Sequence, residues 1–224
     1  MVLLEMTEQV VSEQSHPRQA LRMTLDEFER YAELPENADK RLEYINAEVY
    51  EVPSNAYSSM IAMRIAYFIM DYLRKHDIGH VTGEGGGYKV LQQRYAPDVA
   101  FIRYERQAEL DRHGYNSQAP DLVVEVVSPT DEPEKLRIKL SHYLAAGVVV
   151  WVINPRLENV EVYEAGKPAE VIERTGTLQG GAILPDFSLT VAELFPKPPA
   201  PTSNTPEAPT PSSSSASSTP SPTE

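Results

Sequence analysis

The segment Leu122-Val-Val-Glu-Val-Val127 constrains the fold more than any other stretch of this chain. A run so dense in valine reads as a strand covered on both faces, the pattern of a sheet with helices packed on each side. Glu125 in its middle is then a carboxylate removed from water, which is costly unless a positive charge compensates it. A second acid sits in similar company, Asp98 in Tyr95-Ala-Pro-Asp-Val-Ala-Phe-Ile102. The residues between the two acids suffice for a loop and a return strand, so antiparallel pairing brings both to one end of one sheet.

The remaining patterns supply the elements around these strands. Thr24-Leu-Asp-Glu27 has the spacing of a capping box and predicts a short helix to about Leu34. Arg41 to Val52 alternates as a hairpin turning at Asn46-Ala47. Ser54 or Asn55 caps a longer helix in which Ile61, Ile65, Phe68, Ile69 and Leu73 recur at three- and four-residue steps, ending near His76 just ahead of Gly79. Gly83-Glu-Gly-Gly-Gly87 reads as a tight bend, and Tyr88 to Leu91 as a strand leading to the Asp98 run. Glu132 to Ala146 predicts a helix closed by Gly147, and Val148 to Ile153 a third buried strand. Val160 to Tyr163 and Glu170 to Arg174 follow as peripheral strands. The expected class is α/β, with a mixed central β-sheet flanked by helices.

A chain of 224 residues with 41% hydrophobic and 24% charged residues can bury one sizeable core. We expect a loose arm over residues 1–18, one domain over 19–195, and a disordered tail over 196–224, where 9 of the 19 prolines fall among serines and threonines. The opening Met-Val-Leu-Leu-Glu lacks the basic start of a secretory leader, and Ala145 to Ile153 is far too short to span a bilayer, so a cytoplasmic location without a membrane partner is expected. The absence of cysteine excludes disulfides and thiolate metal sites. A net charge of −13 argues against indiscriminate coating of nucleic acid, which depends on lysine and arginine neutralising phosphates. It leaves room for acids that hold a metal.

Magnesium, and with it manganese, prefers oxygen ligands: one or two carboxylates completed by waters and substrate phosphates. Asp98 and Glu125 offer two carboxylates, and the backbone carbonyl of Val126 a third ligand. This donor set suits metal-dependent hydrolysis of a phosphodiester. A lysine would complete it, but the position two residues after Glu125 is Val127. Lys139 of the following helix, four residues before Tyr143 on the same face, has a stem long enough to return to the acids. The competing reading is that Asp98 and Asp121, each after a proline, terminate turns while Glu125 pairs with a base of the next helix. Other signals point elsewhere: the glycine run lacks the lysine and hydroxyl of a P-loop, His76 and His80 straddle Gly79, Ser128 has no glycine elbow, and Trp151 belongs in the core. His142 is expected to pack or cap rather than titrate in the site.

The segments Arg41-Leu-Glu43, Gly83-Glu-Gly-Gly-Gly-Tyr88, Ala96-Pro-Asp-Val-Ala-Phe101, Pro120 to Pro129, Lys139-Leu-Ser-His-Tyr143, Ala146-Gly147 and Trp151-Val-Ile-Asn-Pro155 occur in the order of a known family. Over about Met23 to Phe195 the chain resembles the Uma-two family of restriction endonucleases, within the PD-(D/E)XK nuclease superfamily. The resemblance implies a restriction-endonuclease-like core, DNA as substrate, Asp98 and Glu125 as metal ligands, and Lys139 as a displaced catalytic lysine. It also implies auxiliary roles for Glu43 and Glu84. Asn46-Ala47 stands where many relatives have Asp-Gly, and Ser58 where a histidine is common. A homodimer is expected of an enzyme that cuts both strands of a duplex, and a catalytically silent DNA-binding or interaction module is the alternative.

Overall fold

The computed structural model describes residues 21–53, 55–129 and 131–196. The expected N-terminal arm, and the expected tail beyond Pro196, lie outside them. The central element is a six-stranded sheet built from β4 (Gly79–Gly83), β7 (Val99–Arg103), β8 (Leu122–Val126), β9 (Val149–Asn154), β10 (Asn159–Tyr163) and β11 (Glu170–Ile172), in the order β11-β10-β9-β8-β7-β4. Among the described residues its only parallel pair is β8 with β9, the two strands joined through helix α3 (Pro133–Ala145); β7 and β8 run antiparallel, as expected. The sheet is therefore mixed.

Strand alternation sends Leu122, Val124 and Val126 to one face, where they meet Ile61, Ile65 and Ile69 of helix α2 (Ala56–Leu73). Phe187, Leu189 and Leu194 from the C-terminal segment complete that core. The opposite face carries Val123 with Ala100, Val150 and Val152, covered by Leu140 and Tyr143 of α3. Glu125 shares the parity of Val123 and so belongs to the α3 face. Trp151 is buried in the first core, as the sequence predicts.

A second, antiparallel sheet packs beside α3, with Ile45, Tyr88 and Tyr95 reaching the second core. It comprises β1 (Leu21–Arg22), β2 (Leu42–Ile45), β3 (Glu48–Glu51), β5 (Tyr88–Val90) and β6 (Gln93–Tyr95), in the order β1-β3-β2-β6-β5. Helix α1 (Leu25–Ala32), closed at its start by the Thr24–Glu27 capping box, buries Phe28 against Tyr44 of β2. A small hairpin of β12 (Thr177–Gln179) and β13 (Ser188–Thr190) completes the strands.

Three details depart from the sequence expectations. α2 ends at Leu73, and Gly79 opens an edge strand rather than closing the helix. Tyr88–Val90 does not lead into the Asp98 strand but turns back as the β5–β6 hairpin of the second sheet. Val160–Tyr163 is not peripheral, since β10 is paired on both sides.

Candidate active site

Pro97 shapes the site. The β7–β8 register pairs Val99 with Val124, and its continuation sets Asp98 beside Glu125 and Pro97 beside Val126. Proline has no N–H to give, so the ladder stops there and the Val126 carbonyl loses the donor that the next rung would supply. The Val126 N–H instead donates to Asp98 Oδ2 at 2.8 Å. The other oxygen of Asp98 accepts from Arg41 at 3.3 Å, and the same guanidinium donates to the Ala96 carbonyl at 2.8 Å and to Glu84 at 3.2 Å. Arg41 Nε is buried without a partner among the described residues.

Glu125 is 9% exposed, and so is Lys139. The Lys139 ammonium lies 2.8 Å from Glu125 Oε1 and 2.9 Å from Glu43 Oε1. Glu43, on β2, also accepts the Ala96 N–H at 3.1 Å, which ties the second sheet to the residues leading into β7. One helical turn beyond Lys139, the fully buried Tyr143 donates its hydroxyl to the same Glu125 Oε1 at 3.0 Å. Both contacts to Glu125 thus fall on one oxygen, and Oε2 takes no hydrogen bond from the described residues. Burial, opposed by Lys139 and reinforced by Asp98 and Glu43, pushes the Glu125 carboxyl up to about 7. Burial acts against the charge of Lys139, yet Glu125 and Glu43 together hold its pKa above the ordinary lysine value. Lys139 is accordingly a fixed cation, suited to donating hydrogen bonds and stabilising negative charge rather than to accepting a proton.

Glu43, Glu84, Asp98, Glu125, Val126 and Lys139 all line one cavity of about 270 Å³, so every site residue that the sequence singles out is brought together. Arg41 and Tyr143 are the additions. Their signals in the sequence are slight: Arg41 lies two residues before Glu43, just ahead of β2, and Tyr143 is four from Lys139, hence on the same helix face.

A model of the family described as "Putative restriction endonuclease" matches residues 25–192, well over half of the chain. The chain belongs to the Uma2 family. This Uma2 chain is also similar to a crystal structure described as "a putative nuclease belonging to DUF820" from Anabaena variabilis, with a TM-score of 0.67 and 24% identity. The likeness covers 77% of this chain and 97% of that one, and at this identity it establishes the shared fold. No curated protein matches the chain.

Among the described residues of this Uma2 protein no three His, Asp or Glu side chains form a ready-made ligand cluster. The available donors are two carboxylates and a carbonyl freed by proline. That set fits a hard cation which keeps waters and takes its remaining ligands from a phosphate, as magnesium does. It does not fit a closed zinc site, which takes four protein ligands.

Proposed function

We propose that this protein is a magnesium- or manganese-dependent DNA endonuclease. The observation that carries the reading is the convergence of Asp98, Glu125 and Lys139 in one cavity, with the lysine ammonium 2.8 Å from the glutamate. Asp98, Glu125 Oε2 and the Val126 carbonyl would hold the ion, whose contribution is to acidify a bound water and neutralise charge on the phosphoryl oxygens. Lys139, kept protonated by Glu43 and Glu125, orients the water or a phosphate oxygen through its remaining donor. Arg41 holds Asp98 in place, and its long planar donor fork is suited to a phosphate at the cavity mouth. Glu84 supports Arg41 rather than the ion itself.

Supercoiled plasmid incubated with the protein and either metal is expected to be nicked or linearised, and Asp98→Ala is expected to lower the rate roughly 100-fold or more, the scale of losing a metal ligand or an outer-shell partner. Absence of cleavage across metals and DNA types would overturn the reading. One observation favours a silent interaction module: the protein's own cations already compensate these acids, Arg41 pairing with Asp98 and Lys139 with Glu43 and Glu125. Calorimetric titration of manganese separates the two readings, because the enzyme must show a site that Glu125→Gln removes.

A further inference from the structure

We infer that Tyr143 is a positioning residue that makes Glu125 a one-oxygen metal ligand. The inference rests on the metal-dependent reading above. A carboxylate in a spacious site can rotate and offer either oxygen, or both, to a cation. Glu125 lacks that freedom. α3 sends it two donors spaced by four residues, Lys139 and Tyr143, and both reach Oε1, at 2.8 and 3.0 Å.

The lysine alone would not fix the orientation. Its ammonium is shared with Glu43 and sits on a flexible stem, so it can follow either oxygen of Glu125. The Tyr143 ring is fully buried, packed 4.9 Å from the Tyr95 ring and held within the second core, so its hydroxyl comes from a fixed point. That hydroxyl makes its hydrogen bond to Glu125, and no other acceptor competes for it among the described residues. With Oε1 pinned toward the helix, Oε2 is the oxygen left for the cavity that Asp98 and the Val126 carbonyl also line. Outer-shell donors of this kind typically change metal affinity roughly 10- to 100-fold when removed.

The test is manganese titration by calorimetry of the full chain, comparing the wild type, Tyr143→Phe and Glu125→Gln, with a thermal melt of each. Phenylalanine keeps the ring and its packing and removes only the donor. The expected result is about a 10-fold weaker manganese Kd for Tyr143→Phe at a melting temperature within a few degrees of wild type, a split that a purely structural tyrosine would not produce. Tyr143→Leu, which also loses the ring packing, should lower the melting temperature as well. If Tyr143→Phe binds manganese like the wild type while Glu125→Gln does not, the positioning role is wrong and the metal-dependent reading stands. If the wild type shows no Glu125-dependent site, both are overturned.

Discussion

Glu125 sits where the interior of the protein and the proposed ion make opposite demands. Its pKa is raised in the fold, so the native state holds the proton to higher pH than the unfolded chain does. The stability this contributes is fully present below the ordinary value of 4.5 and is lost as pH rises through about 7. In the absence of divalent ions, the wild type should therefore lose stability relative to Glu125→Gln as pH rises from about 5 to 8. Urea denaturation of both proteins at several pH values checks this; parallel pH profiles would contradict it. The same reasoning explains why this acid was legible in the sequence. Four valines around a glutamate leave it no water, and only a specific partner makes such burial tolerable. Arg41 was harder to see, because one arginine at the start of a hairpin resembles any solvated base until the fold closes over it.

At the scale of elements, legibility followed apolar pattern. The β2–β3 hairpin, α2, α3 with its Gly147 terminus at φ 76°, and the three central strands all carry strong periodicity or a clear stop. β4 does not: Gly79-His-Val-Thr-Gly83 has one large apolar residue between two glycines, and it is strand only because β7 offers it an edge. Gly79 owes its place to that edge, since a Cβ there would lie 2.3 Å from the Ile102 carbonyl oxygen. β6, Gln93-Arg-Tyr95, is equally mute in sequence, because Arg94 is buried through its pairing with Glu29 of α1. The hairpin turn carries a testable cost. Asn46 and Ala47 both have positive φ, 51° and 68°, a conformation that asparagine tolerates far better than alanine. Ala47→Gly should raise stability by about 1 kcal/mol, visible as a higher denaturation midpoint with unchanged cooperativity; an unchanged or lower midpoint would show the turn to be unstrained.

For the molecule as a whole, the proposed site, with its one set of acids, would cut one strand at a time. Cutting both strands of a duplex would then call for two copies related by a two-fold axis, matching the symmetry of the substrate. Sedimentation should report twice the chain mass of 25.0 kDa, and a strictly monomeric protein that still makes double-strand breaks would remove this argument. The acidic balance of the chain, −13 overall, means that any contact with DNA in the proposed function would need local cations or a bound ion to offset it. Because Asp98 accepts the Val126 amide where the ladder stops at Pro97, it is a stitch in the backbone before it is anything else. A relative without nuclease activity would still suffer from losing that stitch, so an aspartate after this proline is by itself a poor badge of an active enzyme. Under the proposed reading, Glu125 with Tyr143 behind it would be the better one.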